Sequence, residues 1–363
     1  MNDLGSAISA RSLRSEARRN LETGTTRALL LGMVWCVLLS GLLVWNVAVT
    51  VDLLESARRY QDAGASVTVV DAAGRIDGQQ CASLAALPNV RGAGALRADP
   101  APLTPAVTPG VELPTFEATP GLIGILLPDA RERNGIFLSD AAADALGAGR
   151  TSLALGDRSV DIADTFPYPE DGRRPLLGYS VVETVPDAGT FDQCWVEVWP
   201  ESPRVQSIAG SAVVVDEDAG QGPPTVGQLN SSLGRTFDGE ASYRNRATAF
   251  LPGALVLVGV SLGFLAVRMR RLELAAARLI GIRPSDQGVM LLMESGAWIA
   301  AASIISLVLT LAASVAMTGG LLPSALEFSV VALLAGGIGV VCGVLGGIAS
   351  ISSRRALRYF RDR

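Results

Sequence analysis

Neither histidine nor lysine occurs in this sequence. The groups able to do chemistry are therefore carboxylates, hydroxyls, arginines and four cysteines. A Ser-His-Asp triad, a Cys-His pair, an HExxH zinc site, a Schiff base and a P-loop lysine each need one of the two missing residues. Most hydrolase chemistries and every P-loop reading are thereby excluded. A carboxylate pair could still do acid–base work, but the acidic residues are scattered over polar segments, where surface charge needs no catalytic explanation. The expectation is a non-catalytic chain with no catalytic residue, no metal site and no cofactor of its own.

What these residues can do depends on where the chain places them. Four strongly apolar segments stand in a one-plus-three pattern: 28–50, then a long polar stretch at 51–246, then 249–267, 292–318 and 328–350. The first runs 23 residues without a charge, which at about 1.5 Å per residue crosses a hydrocarbon core of ~30 Å. It reads as a transmembrane helix. A cleaved signal peptide is the alternative, but the segment exceeds the usual length of a signal core and has no small-x-small cleavage site after it.

All 30 basic residues are arginine, and they are not evenly spread. Arg11, Arg14, Arg18, Arg19 and Arg27 precede the first span within the amphipathic segment 1–27. Arg268, Arg270, Arg271, Arg278 and Arg283 fill the 268–291 loop, and Arg354, Arg355, Arg358, Arg361 and Arg363 crowd the tail at 351–363. The positive-inside rule makes these three pieces cytoplasmic. The 51–246 region holds 15 Arg against 27 Asp plus Glu and is expected outside the membrane. The net charge of −5 is thus a sum over two compartments, and nothing resembles a nucleic-acid footprint.

The cysteines divide along the same line. Cys36 and Cys342 lie in apolar spans, whereas Cys81 and Cys194 fall in the outer region. An oxidising compartment makes a Cys81–Cys194 disulfide the natural reading, contributing roughly 4–5 kcal/mol by the loop-entropy argument; two buried free thiols are the alternative.

The outer region reads as an α+β domain. Strands are expected at Ser66–Val70, Ile136–Leu138, Thr151–Leu155, Val160–Ile162, Tyr179–Thr184, Cys194–Trp199 and Ala212–Val215, with helices at Gln79–Ala86 and Asp140–Leu146 and a turn at Gly74. The proline-rich run from Asp99 to Pro120 reads as an extended surface excursion, unsuited to a helix or central strand. Leu53, Leu54, Ala57 and Tyr60, and again Val226, Leu229, Leu233 and Phe237, fall at helical spacing and read as two helical stalks.

The most specific local feature is the stretch 268–295, RMRRLELAAARLIGIRPSDQGVMLLMES. Arg268 to Ile280 favours helix, Gly281 can take the left-handed conformation that ends one, and Pro284 with Asp286 suits the first turn of the next. This stretch resembles the corresponding loop of the FtsX/MacB-like permeases of ABC transporters, the type VII or mechanotransmission group, with Glu273, Leu274, Arg278, Gly281 and Glu294 in matching order. Ile282 and Arg283 depart from the small residue and Ser/Thr usual there. The segment Glu16 to Leu21 is similar to the family's amphipathic elbow, LAALPNV at 84–90 to its LxxLPGV with Asn89 in place of glycine, and GIFLSDAAADALG at 135–147 to a further family motif.

The resemblance implies a multi-pass protein of the bacterial inner membrane with both termini cytoplasmic. It implies a coupling elbow, formed by Arg270, Glu273, Leu274, Arg278, Gly281, Ile282, Pro284 and Asp286, that docks on a cytoplasmic ABC ATPase dimer holding ATP and Mg. It also implies a second permease subunit, identical or homologous. Without the resemblance, Glu273 and Arg278 would read as solvated helix charges. Gly339, Gly343 and Gly347 share one helical face and permit close helix approach, either within the chain or across a dimer. The expected activity is export or extraction of a peptide or lipophilic compound; the alternatives are a signalling subunit that activates an extracytoplasmic partner such as a cell-wall hydrolase, and a membrane-anchored receptor or scaffold.

Overall fold

The computed structural model describes residues 15–20, 27–105, 110, 112–130, 133, 135–147, 149–155, 158–214 and 223–351. The chain forms two compact units, Met1–Leu54 with Glu240–Arg363, and Glu55–Gly239. The described elements are, in chain order, α1 (15–20), α2 (Ala28–Asp62), β1 (Val67–Asp77), α3 (Gly78–Ser83), β2 (Val90–Ala98), β3 (Thr115–Ala118), α4 (Pro120–Leu126), β4 (Ile136–Ser139), α5 (Asp140–Leu146), β5 (Ser152–Leu155), β6 (Arg158–Phe166), β7 (Val181–Thr184), β8 (Thr190–Val198), α6 (Pro203–Ala209), β9 (Thr225–Gln228), α7 (Gly239–Arg244), α8 (Leu251–Met269), α9 (Arg271–Leu279), α10 (Pro284–Thr318) and α11 (Pro323–Ser350).

Helices α2, α8, α10 and α11 are long and apolar enough to cross a membrane, at the four places the hydropathy pattern marks. The longest overrun the expected spans most: α2 and α10 are 35 residues each, about 50 Å at the α-helical rise. The first span and its helical extension through Leu53, Leu54, Ala57 and Tyr60 are one uninterrupted helix.

The four-helix unit is held by close packing of α8 on α11. A Cβ on Gly339 or Gly343 would collide with the backbone of Val256 or Val260, and one on Gly347 would stand 2.8 Å from the Val267 side chain. Gly259 and Gly263 of α8 meet the backbone at Gly336, Gly339 and Val340 in return. The glycine face of α11 is thus spent inside the chain, against a complementary face of α8. Without a hydrophobic gain between helices in lipid, such backbone proximity is what favours association. Gly336 also makes room for the Trp35 ring of α2, which is fully buried with Leu31, Leu39 and Leu43. Gly343→Val is expected to lower the thermal unfolding midpoint of the full chain in detergent by several degrees, a loss of about 1–3 kcal/mol from overpacking. Gly346→Val is the control, since no atom stands within 4 Å of a Cβ there.

The second unit is built on a nine-stranded mixed sheet in the order β5-β6-β4-β7-β3-β2-β8-β1-β9. Most pairs are antiparallel; β3–β7 and β4–β6 are parallel. Helix α5 matches its predicted bounds because each end carries its signal: the Ser139 hydroxyl accepts from the Ala142 N–H, and Gly147 follows with φ +91°. Asn89 adopts φ +68°, the left-handed conformation that asparagine tolerates among non-glycine residues. Gly74, also at positive φ, lies within β1, where the pairing with β8 shifts register between Asp71 and Ile76.

Cys81 of α3 and Cys194 of β8 are disulfide-bonded with Cα atoms 5.8 Å apart. Both are fully buried in one hydrophobic cluster with Ile76, Phe191 and Val196. Cys36 and Cys342 are free.

Three expectations are corrected. The proline-rich excursion contains an internal strand: β3 occupies the tetrapeptide TFEA between Pro114 and Pro120 and lies between β2 and β7. Both prolines fall outside the ladder, Pro120 serving as the first residue of α4, so neither removes a needed N–H. The second stalk is not a helix. Val226 lies in β9, at the sheet edge beside β1, Leu229 is buried beneath it, and Phe237 stacks on Tyr60 and Trp199 at 5.5 and 5.6 Å. The open edge of β1 recruits these residues, and edge pairing outweighs their helical spacing. The strand expected at Ala212–Val215 reduces to a 3-10 turn over Gly210–Ala212 and a single bridge from Val213 to Ile76; residue 215 lies outside the described residues.

β2, VRGAGALRA, rich in glycine and alanine, is not among the expected strands. Its glycines serve contact: a Cβ on Gly94 would clash with the Leu122 backbone, and one on Gly121 with the Ala93 carbonyl. Helix α4 therefore lies directly on the strand, which is the situation that selects glycine within a sheet.

Candidate functional site: the elbow between the second and third apolar helices

Between α8 and α10 lie residues 270–283, with the nine-residue helix α9 at their centre. Leu274 and Ala275 face inward and are buried, while Glu273 is exposed. The helix ends as its sequence dictates. Gly281 takes φ +99°, its N–H bonds the Arg278 carbonyl (3.2 Å), and the Ile282 N–H bonds the Ala277 carbonyl (3.1 Å), the paired bonds of a Schellman ending. The chain then restarts at once: Arg283 occupies the N-cap position without a side-chain cap, Pro284 takes the first helical position, and Asp286 adds negative charge to the first turn.

Two arginines brace this elbow. Arg270, at the α8–α9 bend, has a side chain only 6% exposed. Its Nε and Nη2 donate to the two oxygens of Glu273 at 2.9 and 2.6 Å, and Nη1 donates to Oε2 of Glu294 at 2.5 Å. The other oxygen of Glu294 accepts from Asn20 Nδ2 of α1 at 2.8 Å. One buried ionic cluster thus joins α1, the bend and α10. Burial works against the Arg270 charge, but its two carboxylate partners outweigh that cost and hold the guanidinium above its ordinary pKa.

Arg278 acts at the other end of α9. Its Nη2 donates to the Ile348 carbonyl (3.0 Å), Nη1 to the Ile351 carbonyl, and Nε to Gln287 Oε1 (3.0 Å). Gln287 in turn donates to the Leu274 carbonyl (2.9 Å). Arg278 therefore donates to carbonyls at the C-terminus of α11, a favourable place for a cation, and locks α9 to both α10 and α11.

The predicted elbow residues separate into distinct roles. Arg270 and Arg278 are internal struts, Leu274 is core, and Gly281, Ile282 and Pro284 shape the turn. Glu273 and Asp286 lie nearer the outside. What remains outward is an apolar tip that residue types alone did not single out, with Leu279 64% and Ile280 83% exposed. Asn20 and Gln287 were also missed. Their only sequence signal was indirect: an acidic residue such as Glu294, inside an apolar helix, must find polar partners.

No family model matches the chain, and no curated protein does. Among solved structures it is similar to the crystal structure of the periplasmic region of MacB from Actinobacillus actinomycetemcomitans, at 6% sequence identity and a TM-score of 0.34 over 46% of this chain and 90% of that one.

Proposed function

We propose that this chain is the non-catalytic permease subunit of an ABC transporter of the FtsX/MacB-like type. In this reading α8, α10, α11 and the apolar part of α2 lie in a bacterial inner membrane, with the arginine-rich ends and the elbow cytoplasmic and the sheet unit outside. A separate ATPase dimer binds ATP and Mg and docks on the elbow. The chain carries the resulting movement outward, for export or extraction of a peptide or lipophilic compound, together with a second permease subunit.

The observation that carries the reading is the construction of the elbow. A short helix is braced to α10 and α11 by the buried Arg270 and the half-buried Arg278, yet it presents two large apolar side chains, Leu279 and Ile280, to solvent. Rigid bracing suits an element that passes on force, and an exposed apolar pair on a polar loop suits a protein contact.

Leu279→Asp combined with Ile280→Asp is expected to leave membrane insertion and thermal stability unchanged, because exposed substitutions cost within about 0.5 kcal/mol. Co-purification of a co-expressed partner ABC ATPase should fall by at least about tenfold, a loss of ~1.4 kcal/mol of binding. Undiminished recovery of the ATPase by a correctly inserted variant would overturn the assignment of this tip as the docking point.

A further inference from the structure

The sheet unit carries an open cavity of about 620 Å3 at its β9 edge, lined by Thr68 of β1, the 172–175 loop and the 226–235 segment. Its volume falls in the range of small-molecule sites, and its lining is unusual for an acidic region. Arg173, Arg174 and Arg235 all border it, and among the described residues no carboxylate does.

The arginines are held to different degrees. Arg173 is anchored by Asp171 through Nε and Nη2 (2.9 and 2.7 Å), donates to the Asp62 carbonyl, and lies over the Tyr168 ring at 5.1 Å. Hydrogen bonds from Arg173 keep the Asp171 carboxyl below its ordinary pKa, so this pair stays ionised. Arg174 spends Nη1 on Asp71 (2.7 Å), and its other side-chain donors meet no acceptor among the described residues. Its Nη2 lies 2.7 Å from where a Cβ of Gly227 would stand, so the absence of a side chain on the edge strand lets the guanidinium lie flat beside the cavity. Arg235 has no ion pair or side-chain hydrogen bond among the described residues, although its backbone is fixed by Gln228 Nε2 on its carbonyl (3.0 Å). The uncompensated positive charge therefore sits at Arg235, with spare donors of Arg174 and the hydroxyls of Thr68 and Ser231 on the same cavity.

We infer that this cavity binds a phosphate ester, free or as a lipid headgroup, with Arg235 and Arg174 as its principal donors. A planar carboxylate is satisfied by one bidentate fork, as Asp171 is by Arg173. Donors arriving from three chain segments instead suit a tetrahedral group with several oxygens and more than one charge, and the volume leaves room for the alcohol portion. The inference goes beyond the transport reading and stands whether or not an ATPase drives the chain.

Calorimetric titration of the full chain in neutral detergent tests it, with glycerol 3-phosphate, inorganic phosphate, acetate, and dihexanoyl phosphatidylglycerol below its micellar concentration as probes. At least one phosphate probe should bind saturably and more weakly as salt is raised, and Arg235→Gln should weaken it about tenfold or more while Arg204→Gln, at an exposed position outside the cavity, has no effect. Tighter binding of glycerol 3-phosphate than of inorganic phosphate would identify a free ester as the source; binding confined to the diacyl probe would identify a headgroup; equal binding of inorganic phosphate and the esters would overturn the ester assignment. Arg235→Lys should restore part of the affinity. Absence of saturable phosphate binding, indifference to Arg235→Gln in a protein with an unchanged unfolding midpoint, or equal affinity for acetate would each overturn the proposal.

Discussion

Arg270→Ala is expected to destabilise the four-helix unit by about 3–5 kcal/mol, the cost of leaving one member of a buried ion pair without its partner. Glu294, its side chain 4% exposed, would keep only the Asn20 amide for a full negative charge. Thermal unfolding of the full chain in detergent reads the loss, and hydrogen exchange across the elbow should show which helices loosen. The sharper test is the double variant Arg270→Met with Glu294→Met. Replacing both charges by apolar groups removes the orphan as well as the pair, so the double variant should be markedly more stable than Arg270→Ala. Glu273→Ala should cost no more than about 1 kcal/mol, since Glu273 is 55% exposed and its partner retains Glu294. Equal losses for all three variants would mean that the cluster is not what holds the bend.

Cys81→Ser is expected to cost the sheet unit roughly 4–5 kcal/mol. The bridge closes a loop over a sequence separation of 113 residues, and the chain-entropy cost of leaving such a loop open in the unfolded state is of that size. It ties α3 to β8, one of the two strands adjoining β1 in the sheet. The measurement is the denaturant midpoint of the unit, followed by a fluorescence change at the buried Trp195 in the full chain. Cys194→Ser should match it, and reduction of the unsubstituted chain should give a loss of the same order. A substitution costing under about 1 kcal/mol would show that packing of α3, not the cross-link, holds this side of the sheet.

What could be read from the sequence was whatever local chemistry settles without a neighbour. Four runs of apolar residues become four apolar helices because backbone polar groups in such runs are best satisfied by their own helix. Ser139 and Gly147 bound α5, and Gly281 with Pro284 set the elbow, because each residue acts on its own turn of backbone. Cys81 and Cys194 could be paired because they were the two cysteines outside the apolar segments.

Partner choice was decided only in three dimensions. β2 is a strand because α4 needs glycine beneath it, and β9 is a strand because β1 offered an open edge that four extended residues could fill. Val226, Leu229, Leu233 and Phe237 kept their helical spacing but gained more from the sheet. At the elbow, residue types alone left Glu273 and Arg278 as solvated helix charges, whereas the structure gives each a partner: Glu273 faces Arg270, and Arg278 donates to the end of α11. A charge in a sequence states only that a counter-charge, a carbonyl or water must meet it. Which of these does so depends on helices that lie up to 274 residues apart along the chain, as Asn20 and Glu294 do, and such long-range pairing follows from tertiary packing alone.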